Sequence, residues 1–112
     1  GSERDDIEDL SIHRMVLNKR KKIIAVGRIH HNTSFESQIR YFAVDKNYRR
    51  QGVGSYLMQD LESIALRENR QIMVLNAREN ALSFYKNLDY MISKKTNLLF
   101  GKIQHYEMKK VL

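Results

Sequence analysis

Short apolar runs separated by polar connections fill the first part of this chain, and helical spacing appears only beyond residue 52. Ser11 to Leu17 holds Ile12, Met15, Val16 and Leu17 and reads as a first strand, although its alternation is poor. Asn18-Lys19-Arg20-Lys21-Lys22 is a polar turn, and Ile23 to His30 is the returning strand. A second polar connection, His31 to Ser37, leads to a strand over Gln38 to Val44. Three strands in succession predict an antiparallel meander. Val53, Leu57, Leu61, Ile64 and Ala65 then recur at helical spacing, which predicts an amphipathic helix from Gly54 to about Glu68, ended by Asn69 and Arg70. Gln71 to Asn76, with Ile72, Val74 and Leu75, is a short buried strand. It follows a strand–helix pair, so it is expected to lie parallel to Gln38–Val44 through a right-handed crossover. Asn80 to about Leu88 predicts a shorter helix with Asn80 as its cap. Two final strands are expected near Met91–Lys95 and Gln104–Lys109. With no repeat, low-complexity tract or linker, residues 1–112 read as one domain of mixed α/β (α+β) class.

The densest chemical signal is Arg49-Arg50-Gln51-Gly52-Val53-Gly54-Ser55, at the junction of strand and helix. Two glycines one residue apart let the backbone turn tightly and bring its N–H groups near a ligand. A helix opening directly behind adds unpaired amides and the positive end of its dipole. With two arginines at the lip, the junction suits a phosphate-bearing ligand. It is not the dinucleotide fingerprint, which needs a third glycine, nor a Walker loop, which closes on Gly-Lys-Ser/Thr. A bare Gly-x-Gly between strand and helix also serves as nothing more than a tight connection.

A second segment joins the first. Arg49 to Gly54 resembles the Arg/Gln-x-x-Gly-x-Gly/Ala pyrophosphate loop of the GNAT superfamily, the Gcn5-related N-acetyltransferases. About thirty residues later, Asn80-Ala81-Leu82-Ser83-Phe84-Tyr85-Lys86-Asn87-Leu88-Asp89-Tyr90 is similar to that family's Asn-Ala-x-x-Phe-Tyr-x-x-Leu-Gly-Phe signature. The resemblance runs from about Ile12 to Lys109 and implies a GNAT-like mixed sheet. Asp89 stands where the family usually carries glycine; aspartate tolerates a left-handed turn better than most residues.

The resemblance implies acetyl-CoA as co-substrate, lying between two strands that splay apart. Main-chain groups around Phe42, Ala43 and Val44 would pair with the pantetheine arm like an added strand. An N–H there would polarise the thioester carbonyl, a contribution of about 3–4 kcal/mol in a dry site. Gln51, Gly52, Val53, Gly54 and Ser55 would hold the pyrophosphate through main-chain amides, and Arg49 or Arg50 would supply counter-charge. Tyr85 matches the family's tyrosine beside the sulfur, which protonates the departing thiolate; Phe84 reads as a core aromatic. Asn76 and Asn80 are candidates for a contact to the pantetheine arm.

Composition adds bounds. The chain is 42% hydrophobic with a formal net charge of +7 and no cysteine, which excludes a disulfide framework, a thiol nucleophile and a thiolate metal site. No apolar run approaches the roughly 18 residues a membrane span requires, and no signal peptide is visible, so a cytoplasmic setting is expected. The positive charge suits coenzyme A or nucleic acid. The four cations of the hairpin turn read as a solvated tip more readily than as a nucleic-acid site. Residues 1–10 form an acidic segment, Glu3, Asp5, Asp6, Glu8 and Asp9, expected to be a tag scar in part or the edge of a truncation. GNAT domains usually place a strand and two helices ahead of the hairpin, and no room for them precedes Ser11 here; those helices form part of the family's acceptor pocket.

Candidates for the base that relieves an amine acceptor of its proton are Glu8, His13, His30, His31, Glu36 and His105, too scattered to claim a metal site. Family members also deprotonate through water. The leading reading is thus an N-acyltransferase in which a small-molecule or peptide amine attacks the thioester directly in a ternary complex. The alternatives are a non-catalytic acyl-CoA-binding module and a basic nucleic-acid-binding domain. The latter would want aromatics interleaved with cations on one surface, and here the cations scatter. No specific nucleic acid, membrane or metal partner is expected, and family members that pair through sheet edges make a homodimer compatible with the resemblance.

Overall fold

The computed structural model describes residues 11–96 and 103–112. Its strands are β1 (Ser11–Leu17), β2 (Ile23–His31), β3 (Glu36–Val44), β4 (Ile72–Arg78), β5 (Met91–Lys95) and β6 (His105–Val111). Helix α1 (Val53–Arg67) joins β3 to β4, and a short helix α2 (Leu82–Lys86) joins β4 to β5. The strands form one six-stranded sheet in the order β1-β2-β3-β4-β6-β5. The first three make the antiparallel meander, β3 and β4 run parallel, and β6 lies antiparallel between β4 and β5. The mixed class, the meander and the parallel return through a helix are those expected from the sequence.

Helix α1 lies against β1, β2 and β3. Leu57, Met58, Leu61, Ile64 and Ala65 bury its apolar stripe on Ala25, Ile29, Ile39, Met73, Leu75 and Met108 of the sheet. The helix ends as its last residues dictate. Asn69 takes a left-handed φ of 67°. Its N–H donates to the Leu66 carbonyl at 3.0 Å, and the Arg70 N–H to the Ala65 carbonyl at 2.9 Å. This pair of bonds is a Schellman closure, built on asparagine instead of glycine. Asp89 likewise takes a left-handed φ of 74°, as its tolerance for that region predicted.

The predicted helix over Asn80–Leu88 is shorter and broken. Glu79–Ala81 is a 3-10 turn, and α-helical bonding starts only at Leu82. Neither segment has a side-chain cap, and Asn80, inside the 3-10 turn, cannot precede the helix as a cap must. Strand β4 also runs on to Arg78, two residues further than its apolar run suggests.

The feature that positions the site is in β3. Its first residues pair on both sides, with β2 and, over Glu36–Gln38, with β4. Pairing with β2 then slips: Arg28 faces Tyr41 while Ile29 faces Ile39, leaving Arg40 as an extra residue. Such a bulge bends and twists the strand that carries it. Beyond it, Tyr41 to Val44 stay paired to β2, and the ladder with β4 does not resume. A gap opens between the parallel strands.

Candidate active site

Main-chain alternation settles what faces the gap. The Asp45 N–H donates to the Ile24 carbonyl at 2.8 Å, and Val44 and Ala43 stand opposite Ala25 and Val26. In an antiparallel ladder successive residues turn their N–H and C=O to opposite sides. Ala43 and Tyr41 therefore bond toward β2, and the main-chain groups of Phe42 and Val44 aim into the gap. The Val44 carbonyl meets the Arg49 Nε at 3.4 Å.

The chain leaves β3 through Asp45, whose side chain accepts from the Asn47 N–H at 2.8 Å and starts the 3-10 turn Lys46–Tyr48. Arg50 and Gly52 both take left-handed φ values, 61° and 82°. Gly52 is the N-cap residue of α1, and no side chain caps the helix. The first intrahelical bond runs from the Tyr56 N–H to the Gly52 carbonyl at 2.9 Å. The N–H groups of Val53, Gly54 and Ser55 precede it, at the positive end of a 15-residue helix.

Gly54 has a different role from Gly52. A Cβ built on it would lie 3.1 Å and 3.3 Å from the Phe84 ring and 3.6 Å from Val44 Cγ2. Glycine here lets the helix start close over β3 while Phe84 stays in the wall. Phe84 packs against the core and also lines the cleft, so it is more than the core aromatic expected. Its ring centroid is 6.0 Å from Phe42 and 5.0 Å from Tyr85. Tyr85 keeps 8% of its surface open, lines the cleft, and among the described residues its hydroxyl has no hydrogen-bond partner. Burial pushes its pKa above the ordinary phenol value, so it holds its proton at neutral pH.

These elements enclose a cleft of about 670 Å³. Of the residues singled out in the sequence, Phe42, Ala43, Val44, Arg49, Arg50, Gly52, Gly54, Ser55, Asn80 and Tyr85 line it. Three others do not. Gln51 turns its side chain to the Asn47 carbonyl at 3.1 Å. Val53 packs its side chain against the core. Asn76 is exposed and sits opposite Glu107 in register, between the buried Leu75 and Ala77, so strand alternation sends it to the other face. Ala81 and Phe84 complete the lining.

None of the described base candidates reaches the cleft. His31 is buried, with Nδ1 3.2 Å from the Ser37 hydroxyl and Nε2 2.8 Å from Glu68 Oε1. This Ser–His–Glu row has the residue types of a nucleophilic triad, but Ser37 is 0% exposed and no substrate reaches it. The row ties the start of β3 to the end of α1. His30 Nδ1 is 3.4 Å from the Ser11 hydroxyl, Glu36 accepts from Asn32 at 2.9 Å, and His105 Nδ1 lies 3.3 Å from the Ile103 carbonyl. His13 is exposed on β1, and Glu8 falls outside the described residues. Among the described residues no cluster of three or more His, Cys, Asp or Glu could hold a metal ion, and no helix is long and apolar enough to cross a membrane.

A gap unzipped from β4, an uncapped helix start with one glycine at its N-cap and another in its first turn, and a buried tyrosine facing both meet in this cleft. A family model described as an acetyltransferase (GNAT) domain matches residues 2–112. The chain belongs to the GNAT acetyltransferase family. The uncharacterized N-acetyltransferase YjcF of Bacillus subtilis (strain 168) is 31% identical over 108 residues, which span 96% of this GNAT chain and 76% of that protein. An acetyltransferase from Bacillus cereus ATCC 14579 superposes with a TM-score of 0.82 at 22% identity, over 91% of this chain and 73% of that one. A GNAT family acetyltransferase from Elizabethkingia anophelis, solved with acetyl-CoA bound, gives 0.85 at 14% identity, over 99% and 82%. The two structures share the GNAT fold with this chain.

Proposed function

We propose that this chain transfers an acetyl group from acetyl-CoA to an amine acceptor by direct attack, without a covalent enzyme intermediate. The observation that carries this reading is the unzipped half of β3 facing an uncapped helix start, with Tyr85 in the wall between them. The fit to the co-substrate is chemical. The N–H groups of Val53, Gly54 and Ser55 and the guanidinium groups of Arg49 and Arg50 offer donors and positive charge to a pyrophosphate. The main-chain groups of Phe42 and the Val44 N–H, which β4 leaves without a ladder partner, offer a strand edge to the amide-bearing pantetheine arm. That a related fold was solved with acetyl-CoA bound supports the same direction.

In this reading the acceptor nitrogen bonds to the thioester carbon and the carbon–sulfur bond breaks. A main-chain N–H of β3 steadies the carbonyl oxygen as it gains negative charge. Tyr85, kept neutral by burial, gives its proton to the departing thiolate. The proton lost by the amine leaves through water, since among the described residues no carboxylate or imidazole lines the cleft. The products are an N-acetyl amine and free coenzyme A.

The test is thiol release from acetyl-CoA against a panel of polyamines, aminoglycosides, free amino acids and peptide N-termini. Amine-dependent release with at least one panel member supports transfer. Tight acetyl-CoA binding with no release across the panel would leave the second reading, an acyl-CoA-binding module.

A further inference from the structure

The four cations of the β1–β2 turn are not a loose tip. The Asn18 carboxamide oxygen accepts from the Arg20 N–H at 2.9 Å and the Lys22 N–H at 3.0 Å, which organises the turn. Its nitrogen donates to the Tyr48 hydroxyl at 2.9 Å. Tyr48 closes the 3-10 turn directly before Arg49 and Arg50, so one side chain fastens the basic turn to the approach of the glycine loop. Between them lies a cavity of about 480 Å³ lined by Asn18, Lys19, Arg20, Lys22 and Tyr48. Three of its five lining residues are cations and none is acidic. The neighbouring carboxylate, Asp45, is engaged by the Asn47 N–H and lies 3.9 Å from Lys22 Nζ, so it restrains Lys22 without entering the lining.

We propose that this cavity is a second phosphate site, separate from the glycine loop and held beside it by the Asn18–Tyr48 bond. The inference rests on the acetyl-CoA reading above and extends it. The ligand chemistry is a phosphate monoester: compact, doubly charged near neutrality, and able to accept from several lysine and arginine donors at once. A nucleic acid is disfavoured, because Tyr48 is the one aromatic in the lining and its hydroxyl is engaged with Asn18, which leaves no row of rings for bases to stack on. Two sources carry such a group into reach of a bound pyrophosphate: the 3′-phosphate of coenzyme A itself, or a phosphate on the acceptor.

The experiment compares the whole protein with a Lys19→Gln, Arg20→Gln, Lys22→Gln variant, all three positions being exposed. Calorimetry measures affinity for acetyl-CoA and for its 3′-dephospho form. Preference for the phosphorylated form by about tenfold in the native protein, lost in the variant, assigns the site to the co-substrate. In a second arm, inorganic phosphate is titrated while the amide signals of Lys19 to Lys22 and Tyr48 are followed, with and without saturating acetyl-CoA. Shifts that persist in the presence of acetyl-CoA assign the site to an acceptor phosphate; shifts that acetyl-CoA abolishes confirm the co-substrate. Equal affinity for the two forms together with unmoved amides overturns the proposal, as does a preference that survives in the variant. A protein that binds neither form of acetyl-CoA contradicts the acetyl-CoA reading instead, and inorganic phosphate alone then decides this one.

Discussion

Tyr85 and Tyr90 are buried on one stretch of chain with ring centroids 5.9 Å apart, yet they face regions of opposite character. Tyr90 belongs to a closed knot between α1 and β6. Its hydroxyl donates to Glu62 Oε2 at 2.8 Å, Lys110 Nζ meets Glu62 Oε1 at 2.9 Å, and the same ammonium stands 5.7 Å from the Tyr90 ring. Every polar group of the knot has a partner. Tyr85 belongs to the cleft, where the Tyr85 hydroxyl, the first amides of α1 and one edge of β3 are left to meet something else. The knot's polar groups are committed to one another, whereas those of the cleft are, in the proposed function, the ones that meet the ligand. A domain this small keeps the second kind only where packed surroundings fix the backbone, and here the aromatic wall of Phe42, Phe84 and Tyr85 does so.

If that division holds, changes in the cleft should cost binding or turnover and changes in the knot should cost stability. The largest effect is expected from Gly54→Asp. Its Cβ would press on Phe84 at 3.1 Å, and its charge would stand at the helix start that an anion must approach. A like charge set against a ligand's phosphate costs several kcal/mol, so acetyl-CoA affinity should fall by more than about 100-fold. Calorimetry showing native affinity in this variant would mean that no anion approaches the start of α1.

Next is Tyr85→Phe. It keeps the ring and its contacts with Phe42, Phe84 and Tyr90 and removes only the hydroxyl, for which no partner is present among the described residues. Turnover should drop by about tenfold or more while acetyl-CoA affinity barely moves, since a general acid acts in the transition state. Unchanged turnover would return Tyr85 to the core as a packing residue and leave the cleft without an acid.

Much of this was legible in the residues. The Gly-x-Gly between a strand and an amphipathic run marked the helix start, and the order of apolar runs marked the meander and the parallel return. What local pattern could not show was set by pairing at a distance. The bulge at Arg40 falls just past the last pair with β4, Gln38–Val74, and no local residue announces it. The double role of Phe84 depends on Gly54, thirty residues away. Asn80 lies inside a turn and caps nothing, because a 3-10 turn and a short helix share the same spacing over a few residues. Asn76 was not readable either, because Ile72 to Leu75 is a continuous apolar run with both parities buried, and only the burial of Ala77 beside the exposed Asn76 shows which way it turns.

The smallest effect is expected in the knot. Tyr90→Phe removes one bond to Glu62 and leaves Lys110 in place, so stability should fall by about 1 kcal/mol in urea unfolding with turnover unchanged. The pH dependence should tell the same story. Burial, the Glu62 charge and the bond to Glu62 all hold the Tyr90 phenol protonated well beyond its ordinary range. In the unfolded chain a tyrosine ionises near pH 10. The folded state therefore binds more protons than the unfolded one above that value, and the stability from this group is complete below about pH 10 and declines as pH rises further. Tyr85, also raised by burial, adds to the same decline. Phenylalanine at position 90 should make the alkaline loss shallower without abolishing it, because Tyr85 remains. An alkaline profile identical in the two proteins would mean that Tyr90 is no better protected than an exposed phenol, and the contrast between a closed knot and an open cleft would lose its stronger half.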